Sequence, residues 1–226
     1  MPKEGDRLRL EGAFFETLLG LNYAKGERFR RLVREAQQYA CQLPPYAQWP
    51  QHAQQFWNAE AVCWKSRVDH AVRKAISREL SALQGLNLDL GAGSSSYTTN
   101  SVAADFAEEM LLVHDAPHKV ALDLEKPLPL ASEVFDSVTM VFVANYLANL
   151  PQLLREAKRV LAPGGQLVMV QSLAPVMELH RMHYRNSYGE AELKVLLKHA
   201  GLAVRSELRQ LEGKELLFVR GKRGPL

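Results

Sequence analysis

Two glycines one residue apart, Gly91 and Gly93, directly follow the run Leu86-Asn87-Leu88-Asp89-Leu90. A leucine-rich run ending this way reads as a buried parallel strand that turns sharply around a ligand. Only a residue without Cβ permits such a turn and lets a ligand lie against the main chain. The same glycine pair serves nicotinamide, flavin and S-adenosylmethionine (SAM) sites, and also plain tight turns. Acids nearby narrow the choice. Asp89 precedes the turn, Asp105 ends Ser101-Val102-Ala103-Ala104-Asp105, and Asp123 ends Lys119-Val120-Ala121-Leu122-Asp123. A carboxylate has two acceptor oxygens and no donor, which suits paired hydroxyls or an amine. The bland readings are an exposed helix cap for Asp105 and a turn acid before Pro127 for Asp123.

Strands and helices must carry these acids to one edge. From Leu86 onward the pattern alternates: strands at 86–90, 101–105, 119–124, 135–143 and 166–171, with helices at 151–161 and 189–200. This implies an α/β chain with a parallel sheet and helices on both faces. Pro163-Gly164-Gly165 turns the chain into the fifth strand. Two final strands, about 202–208 and 215–220, are joined around Gly213 and should pair antiparallel. Upstream, 8–20 reads as a short helix and 26–42 as a firmer one. Pro44-Pro45 ends the latter, and 58–83 reads as one long helix capped by Asn58 and stopped by Gly85.

With 226 residues the chain can bury a full core, and we divide it into a helical extension or lid, 1–84, and a ligand-binding domain, 85–226. A net charge of +3 over 28 basic and 25 acidic residues does not argue for nucleic acid. The cluster Arg28, Arg30, Arg31, Arg34 is interleaved with acids and reads as a solvated helix face. Cys41 and Cys63 suit neither a disulfide framework nor a metal site, and read as reduced thiols. Neither a signal peptide nor an apolar run of about 18 residues is visible, so the expectation is a cytoplasmic protein without a membrane span.

In their order, Asp89-Leu90-Gly91-Ala92-Gly93, Asp105, Asp123-Leu124, Phe135-Asp136 and Arg159-Val160-Leu161-Ala162-Pro163-Gly164-Gly165 resemble a class I SAM-dependent methyltransferase from about Leu86 to the C-terminus. That resemblance implies a doubly wound, mostly parallel seven-stranded sheet with an antiparallel last strand. It also implies SAM as cofactor and S-adenosylhomocysteine as product. Gly91, Ala92 and Gly93 would admit the methionine part, with Asp89 orienting its ammonium. Asp105 would accept the ribose hydroxyls, while Asp123 and the Leu124 amide would meet adenine. Phe106 and Met110 would wall the adenine, and Val143 and Ala144 would pass near the sulfonium. Leu43-Pro44-Pro45-Tyr46 resembles the Asn/Asp-Pro-Pro-Tyr signature of adenine-amino methyltransferases. It is a decoy, because Leu cannot hold an amine and the tetrad precedes the glycine turn.

Two departures from the family pattern stand out. Ser95 occupies its third glycine position, and Gly93 and Asp105 are only twelve residues apart, too few for a helix plus a strand. Ser94 to Asn100 must then be a loop or a single helical turn, with Tyr97 near the methionine carboxylate. A variant reading gives the ribose to Asp123. Candidate bases follow the fourth strand (Asn145, Tyr146) and the fifth (Glu178, His180, His183, Tyr184, Arg185); of these we single out Tyr146, His180 and His183 and expect no metal. The N-terminal helices should cover the cofactor cleft, with Trp64 and Arg67 facing the acceptor. A small-molecule acceptor is the leading expectation because no basic tail or RNA-binding module is appended. Protein or RNA methylation is the alternative, followed by a nicotinamide-dependent oxidoreductase, disfavoured by Ser96, and a non-catalytic SAM-binding protein.

Overall fold

The computed structural model describes residues 4–174 and 176–225. Its centre is a seven-stranded sheet of order β3-β2-β1-β4-β5-β7-β6. The strands are β1 (Asn87–Leu90), β2 (Ser101–Asp105), β3 (His118–Ala121), β4 (Phe135–Val141), β5 (Leu161–Ser172), β6 (Ala203–Leu211) and β7 (Lys214–Lys222). Neighbours from β3 to β5 pair in parallel, and β7 runs antiparallel to both β5 and β6. Chain order reverses between β1 and β4, so a crevice opens beyond their carboxyl ends, where ligands bind in open α/β sheets.

Alternation along the central strands assigns the two faces. Leu167 and Met169 of β5 and Leu217 and Val219 of β7 join Leu88 and Leu90 in a core closed by α6 (Leu150–Val160) and α8 (Glu190–His199). On the other face Val168, Val170, Leu216 and Phe218 meet Val72, Ile76 and Leu80 of α4 (His70–Leu80). Each fully buried Leu or Phe there contributes about 1.5–3 kcal/mol of transfer free energy. Pro163-Gly164-Gly165, expected to precede the fifth strand, lies inside β5 instead. Pairing with β4 shifts register between Phe135 and Ser137, which accommodates the turn as a bulge.

The single helix expected over 58–83 is two, α3 (Ala53–Arg67) and α4. Val68 is extended, and Asp69 begins the second helix by accepting from the Ala71 amide at 2.7 Å. Asn58 therefore does not cap its own helix. Its side chain accepts from the Glu109 amide at 3.4 Å, at the start of α5 (Glu108–Val113). Helices α1 (Glu4–Gly20), α2 (Gly26–Ala40) and α3 form a separate core around Phe14, Trp49 and Phe56. Leu179 of the short α7 (Glu178–Arg181) inserts into it. Among the described residues no helix is long and apolar enough to cross a membrane.

Candidate functional site

A cavity of about 200 Å³ lies at the carboxyl ends of β1, β2 and β4. Gly91, Gly93, Asp105, Phe106, Met110, Asp123, Leu124 and Val143 line it from the sheet side, together with Tyr146 and His183. Trp57 and Trp64 of α3 form the opposite wall. Gly91 and Gly93 have φ of +69° and +60°, and a Cβ on them would stand 2.6 Å from a Val143 methyl and 3.2 Å from the Trp64 ring nitrogen. Glycine is thus required twice over, by backbone angle and by space.

Asp105 is buried, and its two oxygens accept from the Gly93 and Ala107 amides, both at 2.9 Å. Burial pushes its pKa up, against the pull of those amides. Asp123 is half-buried, accepts from the Glu125 amide at 3.0 Å and pairs with Lys126 at 3.4 Å. Asp89 does not line the cavity; it lies buried beneath the glycine turn. Its Oδ1 accepts from the Thr139 hydroxyl at 2.8 Å, while Oδ2 has no partner. Burial pushes its pKa up to about 7, helped by the nearby Asp105 and opposed by Thr139. Ala92 also lies outside the cavity, packed on Ala103, Leu111 and Ala116.

Tyr97 corrects an expectation. It does not border the cavity but is buried with Val72, Ile76 and Leu80 on the α4 face of the sheet. The short link from β1 to β2 carries no helix, so the ring fills space a helix would otherwise cover. Burying an aromatic of ~150–250 Å² outweighs keeping its hydroxyl near a ligand.

The candidate bases separate. The Nε2 of His183 lies 2.8 Å from the Pro50 carbonyl oxygen, which can only accept. Nε2 therefore carries the proton and Nδ1 is the remaining acceptor, on a ring whose pKa burial lowers. His180 lies outside this cavity, its Nε2 3.1 Å from the fully buried Glu60. Glu60 also accepts two 2.8 Å bonds from Arg67. Burial alone would raise the Glu60 pKa, but the Arg67 and His180 hydrogen bonds prevail and hold it at about 2. Tyr146 packs between Trp57 (4.9 Å) and Tyr184 (4.8 Å). Its pKa stands well above the usual value because of burial and then Tyr184, so it is a donor and not a base at neutral pH. Asn145 is a staple: its backbone oxygen accepts from Arg185 and Asn186, and its side chain from the Tyr188 amide.

Residues 88–169 match the family model described as a methyltransferase domain, and that span contains the glycine turn and all three acids. Over that span, about a third of the chain, it is similar to the methyltransferase family. Over 107 residues it is 38% identical to a demethylmenaquinone methyltransferase of Mycobacterium marinum, an alignment covering 43% of this chain and 46% of that protein. The aligned part thus spans about half the length of such curated relatives. Among solved structures, a Thermotoga maritima SAM-dependent methyltransferase, named as a possible histamine N-methyltransferase, aligns over 75% of this chain and 97% of its own. The TM-score is 0.57 and the identity 19%. A Haemonchus contortus Phospholethanolamine N-methyltransferase 2, solved with S-adenosylhomocysteine, aligns over 79% of this chain and 60% of its own, with TM-score 0.61 and 12% identity. At such identities the likeness is one of fold.

The residues at the edge fit the family's cofactor chemically. A glycine cradle, buried Asp105 and the orphaned Oδ2 of Asp89 provide room for a backbone approach and acceptors for hydroxyls or an ammonium. The enclosed volume, about 200 Å³, is below the ~300–1,000 Å³ usual for small-molecule sites. Sequence reasoning missed Trp57, Phe142 and Glu60. Glu60 had a signal: it shares the helical register of Phe56, Ala59, Cys63 and Arg67, so an acid stood on the buried face of α3 beside a base seven residues on.

Proposed function

We propose that this chain transfers a methyl group from SAM to a small-molecule acceptor. The observation that carries the reading is one cavity in which Gly91, Gly93 and buried Asp105 face Trp57 and Trp64 across the edge of the sheet. When bound, SAM supplies a methyl carbon that leaves sulfur with the bonding pair remaining on sulfur, while the acceptor atom donates the new pair and releases its proton.

The chain's own groups bind, orient and exclude water. Asp105 accepts the ribose hydroxyls, and Asp123 with the Leu124 amide meets the adenine between Phe106 and Met110. Asp89, beneath the glycine turn, orients the ammonium from behind the turn and through water rather than by direct contact. Helices α1–α3 act as the lid, and the Trp57 and Trp64 rings keep water from the reacting atoms, where positioning supplies most of the acceleration. Where the acceptor must lose its proton, His183 Nδ1 is the acceptor kept neutral by burial, and Tyr146 donates. Free thiols at Cys41 and Cys63 accord with a cytoplasmic setting.

Thermal unfolding with S-adenosylhomocysteine tests the reading. At about 100 times its dissociation constant the ligand stabilises by about 2.7 kcal/mol, and the shift disappears in Asp105→Ala. A shift with a nicotinamide cofactor alone, or with neither ligand, defeats the proposal.

A further inference from the structure

A second cavity, of about 420 Å³, adjoins the first, and the two share Trp64, Phe142 and Tyr146. Its volume lies within the range of small-molecule sites. The shared wall is aromatic, and its middle residue is strained: Phe142 has φ +61°, a region side chains avoid. It is held there at the exit of β4 by a 2.8 Å bond from its amide to the Val170 carbonyl. Strain of this kind collects where a side chain must be aimed.

Charge divides the second cavity. Inside, Arg67 is neutralised by Glu60, which His180 also contacts. At the mouth Lys25, just before α2, and Lys214, at the start of β7, bring exposed ammonium groups from two separate parts of the fold. Neither forms an ion pair among the described residues. The one acid on the lining, Asp69, is occupied at the start of α4. A ligand therefore meets flat rings within and positive charge at the rim.

We propose that this chamber is the acceptor site and takes a small aromatic acid. The ring lies on the Trp64, Phe142 and Tyr146 partition, and the acid group points to Lys25 and Lys214. This inference rests on the methyl-transfer reading, because the ring on the partition must present its reacting group past it into the cofactor cavity, which His183 lines. Cationic amines are disfavoured at the rim, and the enclosed Glu60 carboxylate is already spent on Arg67.

Isothermal titration separates the two claims. Protein saturated with S-adenosylhomocysteine is titrated with hydroxybenzoates substituted at each ring position, the matching hydroxybenzamides, and tyramine. The expected result is a preference of about tenfold for a benzoate over its amide and over tyramine, lost in the Lys25→Ala, Lys214→Ala double variant; two partly exposed charge contacts account for that factor. Trp64→Ala should weaken benzoate and amide alike. Equal binding of benzoate and amide, tighter binding of tyramine, a preference that survives loss of both lysines, or no binding by any probe overturns the chamber assignment. If S-adenosylhomocysteine itself fails to bind, the methyl-transfer reading falls and the acceptor role of the chamber falls with it. Benzoate selectivity in the cofactor-free protein then shows which of the two claims failed.

Discussion

The cofactor edge and the helical cover differ in what does the holding. At the edge the polar partners are mostly main chain: the Gly93 and Ala107 amides meet Asp105, and the glycine turn is fixed by backbone angle. In the cover, side chains far apart in sequence hold one another, with Glu60, Arg67 and His180 meeting across 120 positions. A backbone site tolerates no added atoms but little depends on any one side chain beyond its acids. A buried ion network fails when one partner is lost, because the others are left charged in a low-dielectric interior.

Breaking the cover should give the largest effect. Glu60→Gln leaves Arg67 buried without its counter-charge and should cost about 3–5 kcal/mol, a fall in melting temperature of roughly 6–20 °C for a chain of this size. The sign with pH follows from the lowered pKa. Glu60 stabilises the fold fully above its unfolded value near 4.5, and this is lost as pH falls towards about 2. Acid melting curves should show that loss in the wild type and a flatter limb in the variant.

At the edge, Gly91→Val tests whether space is limiting. With φ at +69° and Val143 at 2.6 Å, S-adenosylhomocysteine affinity measured by titration should fall at least about 100-fold, or about 2.7 kcal/mol. An unchanged affinity would remove the contrast between the two regions.

Asp89→Asn should give a smaller effect, opposite in sign for folding and for binding. The raised folded pKa means that an unfavourable contribution grows as pH rises from about 3.8 to about 7. Replacing the buried carboxylate should therefore raise the melting point of the ligand-free protein by a few degrees at pH 8, about 1–2 kcal/mol, with no gain at pH 4. Cofactor affinity should fall in the same variant, and a loss of stability at pH 8 would show that Asp89 is not the strained group.

Legibility in the sequence followed the same division. The glycine turn, the acids at 105 and 123 and the antiparallel final pair could be read because each depends on local chemistry: φ, strand period, or a turn around Gly213. The break at Val68-Asp69 could not, since the apolar period runs on through it and only packing of α4 on the sheet decides where the first helix ends. Tyr97 was misplaced because its loop reads as polar, and nothing local reports the bare sheet face it covers.

By itself the sequence determined the strand series, the order of its acids and the need for glycine at 91 and 93, because backbone angles and side-chain periods act within a few residues. Tertiary structure alone decided that Glu60 meets His180, that Trp57 and Trp64 close the cleft, and that Phe142 stands between two cavities. These are contacts between segments whose separation along the chain carries no periodic signal, and burial, which sets their energies, exists only once the chain has folded.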